Sequence, residues 1–142
     1  MHTQQVTDPK TVAFSGLTSR IEVSTAESGG TFNVMLVTVA PDHGAPHHIS
    51  AGEDKYFRLL AGALDFRAGE MALALTPGDS LHVAAGDAHS FWNRSGRDAT
   101  FLLVSSPGRH ADFFTAMAAL PAPHTPEAVG AVFQKFDQRM AG

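Results

Sequence analysis

Between residues 31 and 106 the apolar positions fall in short stretches separated by Gly, Pro, Asp or Asn, without the sustained three- and four-residue spacing of an amphipathic helix. Residues 31–39 are rich in β-branched and aromatic side chains and read as a strand. Pro41 to Pro46 then break the chain into a loop. Further strands are expected at 56–61, 63–67, 71–75, 80–83, 89–93 and 99–105, with Gly62, Gly69, Gly78, Gly86 and Gly96 between them. Short strands with turn glycines at such regular intervals predict an all-β sandwich or barrel, closed or of jelly-roll type, which also protects sheet edges. After Pro107 the period changes. Phe113, Phe114, Met117 and Leu120 share one helical face, as do Val129, Val132, Phe133, Phe136 and Met140. Two short C-terminal helices are therefore expected, the second starting near Pro126. There Thr125 supplies the N-cap, proline takes the first helical position and Glu127 faces the positive dipole end. One structural domain follows, with an N-terminal segment (1–28) packed on a barrel core (29–106) and a helical appendix (107–142).

Composition narrows the chemistry. The chain has 142 residues, 44% hydrophobic and 17% charged, enough apolar material for a real core. Ten Lys and Arg against 14 Asp and Glu give a net charge of −4, and no basic run concentrates positive charge, so nucleic acid is not an expected partner. The absence of cysteine removes disulfides, thiolate metal sites and cysteine nucleophiles. The polar start lacks a basic segment followed by an apolar one, and no apolar run approaches the ~20 residues that cross a bilayer. A cytoplasmic protein without membrane contact is the expectation.

Two segments carry the functional information. One runs from Pro46 through His47, His48, Ser50, Glu53, Asp54 and Lys55 to Gly62; the other runs from Gly78 through His82, Gly86 and His89 to Asn93. Together they resemble the two motifs of the cupin superfamily, small β-barrels whose motifs bring metal ligands together inside the barrel. Gly29, Gly30, Thr31 and Phe32 before the first long strand, with Ser106 and Pro107 leading to Asp112, Phe113 and Phe114, are similar to small bacterial cupins related to quercetin dioxygenases. The departures are specific. Aligned on Gly62, the first motif has Asp42 for its glycine, His48 for its first histidine, Ser50 for its second and Lys55 for its glutamate. In the second motif Gly78, Gly86, His89 and Asn93 match, and Ala84 stands where proline is usual. Using His47 in place of His48 puts Ile49 at the second ligand position, so a shift of register restores nothing.

The resemblance implies a small organic molecule as partner and a homodimer as assembly. The altered motif implies no metal cofactor: His48 and His89 are two ligands where a divalent cation needs more, and a protonated Lys55 has no lone pair to offer. Pointing inward, Lys55 would have its pKa depressed by burial, and could serve as base, Schiff-base amine or oxyanion stabiliser. His48 and His89 are then the proton carriers, with Ser50, Phe57, His82 and Phe91 on the substrate side. His47 falls on the opposite strand face from His48. His2, His43, His110 and His124 lie in loops or at ends and are assigned no role. Three functions stay open: metal-independent isomerase, cyclase or lyase chemistry; a metal-dependent dioxygenase in which His48, His89 and a replacement carboxylate from Glu53 or Asp54 hold Fe, Mn, Ni or Zn; and a non-catalytic binding module. In the blander alternative for Lys55 it pairs with Glu53, Asp54 or Glu70 at the barrel rim.

Overall fold

The computed structural model describes residues 3–141. In chain order the elements are β1 (Lys10–Phe14), β2 (Leu17–Val23), α1 (Thr25–Ser28), β3 (Asn33–Val39), β4 (Gly44–Ser50), β5 (Asp54–Ala61), β6 (Leu64–Ala68), β7 (Met71–Leu75), β8 (Ser80–Val83), β9 (Ala88–Trp92), β10 (Ala99–Ser106), α2 (His110–Ala118), α3 (Pro126–Lys135) and β11 (Gln138–Met140). All pairings are antiparallel, in a six-stranded sheet ordered β1-β2-β3-β10-β5-β8 and a five-stranded sheet ordered β11-β4-β9-β6-β7. Among the described residues the strands bond only within these two sheets, so the jelly roll is built and the closed barrel is not.

Period-two alternation sets the core. Met35, Val37 and Val39 of β3, Phe57 and Leu59 of β5, and Ala99, Phe101 and Leu103 of β10 are all buried on the inner face, with Phe101 between Val37 and Leu59, Leu103 between Met35 and Phe57, and Ala99 opposite Val39. Phe66 and Phe91 answer from the facing sheet. Segment 1–28 supplies two strands and a one-turn helix: β2 pairs along β3 and carries Leu17 and Ile21 into the core.

Two expectations are corrected. The loop expected through Pro46 is strand β4, and it begins at Gly44. Proline cannot donate to a ladder, but the register between β4 and β9 shifts between Ala45 and His48, and this irregularity accommodates Pro46. Gly44 lets the strands meet, because a Cβ there would lie 2.0 Å from the Phe91 carbonyl oxygen. The second C-terminal helix is also shorter than its apolar stripe. Thr125 does cap it, accepting from the Ala128 N–H at 3.2 Å, but it stops at Lys135. Asp137 takes a left-handed φ of 54° and turns the chain back, so that Gln138–Met140 becomes an edge strand on β4. Asn93 fixes the loop after β9: its amide donates to the Val39 and Arg97 carbonyls, and its oxygen accepts from Ser95.

Candidate functional site in the barrel

Register determines which side chains meet. His48 on β4 lies directly opposite His89 on β9, so both project inward as a cross-strand pair with ring centroids 4.3 Å apart. Ser50, two residues along the same face, lies opposite Gln138 of β11. From the facing sheet β5 sends Lys55 inward, between Val83 of β8 and Ser105 of β10. Lys55 is 2% exposed, the largest of the fully buried side chains.

Its ammonium is held from two sides. Nζ donates to Ser50 Oγ at 2.6 Å and lies 3.4 Å from His89 Nε2. Behind Lys55 runs a chain of buried polar groups. Ser50 Oγ donates to Gln138 Oε1 at 2.7 Å, and the Gln138 amide donates to Glu53 Oε1 at 3.2 Å and to the Phe136 carbonyl. His110 Nδ1 approaches the same Glu53 oxygen at 2.7 Å, off the ring N–H axis, so the pair is a close electrostatic contact more than an aligned hydrogen bond. The Ser105 hydroxyl, across from Lys55, is buried without a partner among the described residues.

The charges follow from burial. Desolvation lowers the Lys55 pKa to about 8, with Glu53 opposing the shift. His48 is lowered to about 3 and His89 to about 2, in both cases by burial first and by the Lys55 charge second. His110 falls to about 4 through burial and Lys55, against the pull of Glu53. For Glu53 burial acts upward, yet the contact with His110, the Lys55 charge and the Gln138 amide together hold its pKa below the ordinary value. Lys55 is thus mainly cationic at neutral pH and the three imidazoles are neutral. Their tautomers are set by acceptor-only neighbours. His89 Nδ1 lies 3.0 Å from the Asp87 carbonyl and His48 Nδ1 lies 2.7 Å from that of Pro46, so each Nδ1 carries the proton and each Nε2 keeps its lone pair.

These groups line a cavity of about 260 Å³ between the sheets, walled by Phe57, Phe91, Phe101 and Leu103 and capped by side chains of α2 and α3. Lys55, His48, His89, Phe57 and Phe91 all line it. Ser50 does not. Its hydroxyl accepts from Lys55 and donates to Gln138, which makes it a positioning group where a substrate contact was expected. His82 is corrected outright: it pairs with Tyr56 on the outer face, because Val83 takes the inward position beside Lys55, and its side chain is 64% exposed. Among the described residues Lys55 has no carboxylate within salt-bridge distance, which removes the rim ion pair. Asp54 is exposed and accepts from the Ala85 N–H, and Glu53 is engaged by His110 and Gln138, so neither completes a ligand set with His48 and His89.

His110 and Gln138 are the residues that sequence reasoning missed. His110 had a signal, since it stands at i to Phe113, Phe114 and Met117 at i+3, i+4 and i+7 on the buried face of α2. Gln138 had none, lying within an apparent helical stripe. His124 also lines the cavity, His43 is exposed on its loop, and His47 lies on the outer side of β4; His2 falls outside the described residues.

The donor set can be tested against a metal. A divalent cation needs three or more lone-pair donors around it. Here two imidazole nitrogens converge with an ammonium 3.4 Å from one of them, and no group of three His, Cys, Asp or Glu converges among the described residues. The residues present do not fit a cation at this position.

Residues 35–105 match the family described as cupin domain. No protein of curated function matches the chain. Among solved structures, a sugar phosphate isomerase of the cupin superfamily from Silicibacter pomeroyi is 28% identical with a TM-score of 0.57, over 64% of this chain and 59% of that one. The chain therefore spans less than two thirds of that isomerase. The polyketide cyclase RemF from Streptomyces resistomycificus is 22% identical with a TM-score of 0.62, over 75% of this chain and 79% of the cyclase. A predicted oxalate decarboxylase from Thermotoga maritima is 19% identical with a TM-score of 0.61, over 70% of this chain and 91% of that one. The last two likenesses are of fold alone, and the quercetin-dioxygenase subtype suggested by the motifs is finer than these matches carry.

Proposed function

Since the chain belongs to the cupin domain family, we propose that it is an enzyme acting on a small organic molecule inside its barrel, by proton transfer beside a carbonyl group and without a metal. The observation that carries this reading is the Lys55 ammonium, held by Ser50 Oγ at 2.6 Å and beside His89 Nε2 at 3.4 Å, on the wall of an apolar cavity. Two of its three N–H groups are directed to those neighbours, which leaves the third for a cavity occupant.

In the proposed step the third Lys55 N–H donates to the substrate carbonyl oxygen. His48 Nε2 takes the proton from the adjacent carbon. The C–H bond breaks, its electron pair forms the enolate C=C bond, and the negative charge arrives on the oxygen beside Lys55. The imidazolium then returns the proton to another carbon or face. An imidazole with a pKa of about 3 is a weak base in the resting site, but the Lys55 charge contributes to that depression. An oxyanion forming against Lys55 cancels the charge, so His48 becomes more basic as the reaction proceeds. Ser50 and His89 keep Nζ in place.

The test is solvent exchange in D2O, followed by proton NMR, with a panel of small 2-oxo acids, hydroxyketones and 1,3-diketones. The wild type is expected to exchange α-protons of at least one compound. Lys55→Met and His48→Gln are expected to slow that exchange by about 100-fold or more while the fold is retained. Ligand binding with no exchange across the panel would favour a non-catalytic module. Exchange that appears only after loading with Mn or Fe would favour the dioxygenase-like alternative.

A further inference from the structure

We infer that the molecule this cavity takes is an amphipathic monoanion, with an apolar ring-bearing body and a single carboxylate or enolate-type oxygen head, rather than a polyol or a phosphate ester. The inference rests on the reading above for where the head binds, and adds what the remainder of the ligand must be.

Seven of the chain's ten phenylalanines line the cavity. They come from both sheets and both C-terminal helices, and several are in edge-to-face contact, such as Phe14 with Phe114 at 5.1 Å and Phe91 with Phe101 at 5.2 Å. The polar groups on this surface are few. Lys55, His48, His89 and His110 come from β5, β4, β9 and the first turn of α2, and Ser15 and His124 add polar groups from the turn after β1 and the loop before α3; β1, the later turns of α2, and α3 themselves present only apolar side chains to the cavity, among them Phe14, Met117, Val129 and Phe133. A sugar's hydroxyls would meet walls with few donors or acceptors, and each unpaired hydroxyl taken from water counts against binding.

Charge sets the head group. Among the described residues Lys55 is the only Lys or Arg that lines the cavity. His48 and His89 stay neutral beside it, and His110 is turned to Glu53. One cation complements one negative charge, whereas a phosphate monoester brings nearly two and would keep the excess in an apolar enclosure. Volume sets the size. At the roughly 30 Å³ that one water takes in the liquid, about 260 Å³ corresponds to about nine waters, the space of one substituted ring with a short chain.

Calorimetric titration of the full chain at pH 7 with benzoate, phenylacetate, 3-phenylpropionate and 4-phenylbutyrate tests this directly. 3-Phenylpropionamide and glucose 6-phosphate serve as contrasts. The expected result is saturable binding of the carboxylates, strengthening up to about fourfold per methylene, with the amide at least tenfold weaker and the sugar phosphate not bound. Lys55→Met is expected to weaken carboxylate binding at least tenfold. Val129→Phe, on a helix without fully buried residues, fills the cavity and is expected to weaken 4-phenylbutyrate tenfold while sparing benzoate; it decides the matter even if Lys55→Met fails to fold. Glucose 6-phosphate binding as tightly as the arylcarboxylates, equal binding of acid and amide, or an unchanged 4-phenylbutyrate affinity in Val129→Phe would overturn the inference. Its failure is separable from failure of the catalytic reading. Carboxylate binding without α-proton exchange sinks the catalysis alone, and exchange of a hydroxyketone without arylcarboxylate binding sinks the ligand class alone.

Discussion

Lys55 occupies a position where the cupin motif has a glutamate, and the exchange of a carboxylate for an ammonium reverses the local electrostatics. Burial disfavours the charged amine, and its pKa falls from 10.5 to about 8. Between those two values the unfolded chain holds a proton that the folded chain has released, so stability rises with pH from about 8 to 10.5. Below pH 8 the charge destabilises the fold by about 3 kcal/mol. Lys55→Met is therefore expected to raise the unfolding free energy at pH 7 by about 1–3 kcal/mol while slowing the proposed α-proton exchange by about 100-fold or more; a lower urea midpoint would contradict this. Glu53 opposes the depression, and Glu53→Gln is expected to move the Lys55 titration below about 8, as read from its side-chain NMR shift. Lys55, His48 and His89 were legible because the motif spacing aligns them. His110 was legible only through the helical period it shares with Phe113, Phe114 and Met117, and its loop-like surroundings concealed that. Nothing local marks Gln138, whose role depends on pairing with Ser50 across 88 positions of chain.

The elements that close the cavity are the least secured. α3 lays Val129, Val132, Phe133 and Phe136 against the core without fully burying any of them, so its N-cap matters more than usual for its length. Thr125→Ala removes the bond to the Ala128 N–H and is expected to cost about 1 kcal/mol locally. Amide hydrogen exchange should speed up across Pro126–Lys135 while β10 amides stay protected; uniform change over both would show that the helix opens only with the whole fold. The strands with alternating apolar positions, β3, β5 and β10, were legible because each has one buried face. β4 was hidden by Pro46, whose strand position is tolerated at a register shift that local sequence does not announce. β11 was hidden because Met140 extends the apolar stripe of α3, while the left-handed Asp137 that ends it has no strong local signature.

At the scale of the molecule, two antiparallel sheets and a helical cap enclose several ionisable groups whose charge states the fold dictates. His48, His89 and His110 are neutral when folded, with pKa values lowered to about 3, 2 and 4, and return to about 6.5 on unfolding. Below pH 6.5 the unfolded chain takes up protons that the folded chain refuses, so stability falls as pH falls, by up to about 4 kcal/mol per unit for three histidines. A urea midpoint dropping steeply between pH 6.5 and 5 is expected, and a flat profile would contradict neutral buried imidazoles. The fold class was legible because turn glycines and alternation recur along most of the chain; the N-terminal strands were not, since β1 is a largely exposed edge strand with little apolar signal. The site as a whole depends on an inward, cationic but easily deprotonated Lys55. The chain has only three lysines, Lys10, Lys55 and Lys135, so protein labelled with ¹³C-lysine gives three resolvable Cε titrations. One signal is predicted to titrate near pH 8 and to disappear in Lys55→Met. A Lys55 signal, identified by its loss in Lys55→Met, that titrates at the ordinary lysine value of about 10.4 would place the amine in water and contradict the site described.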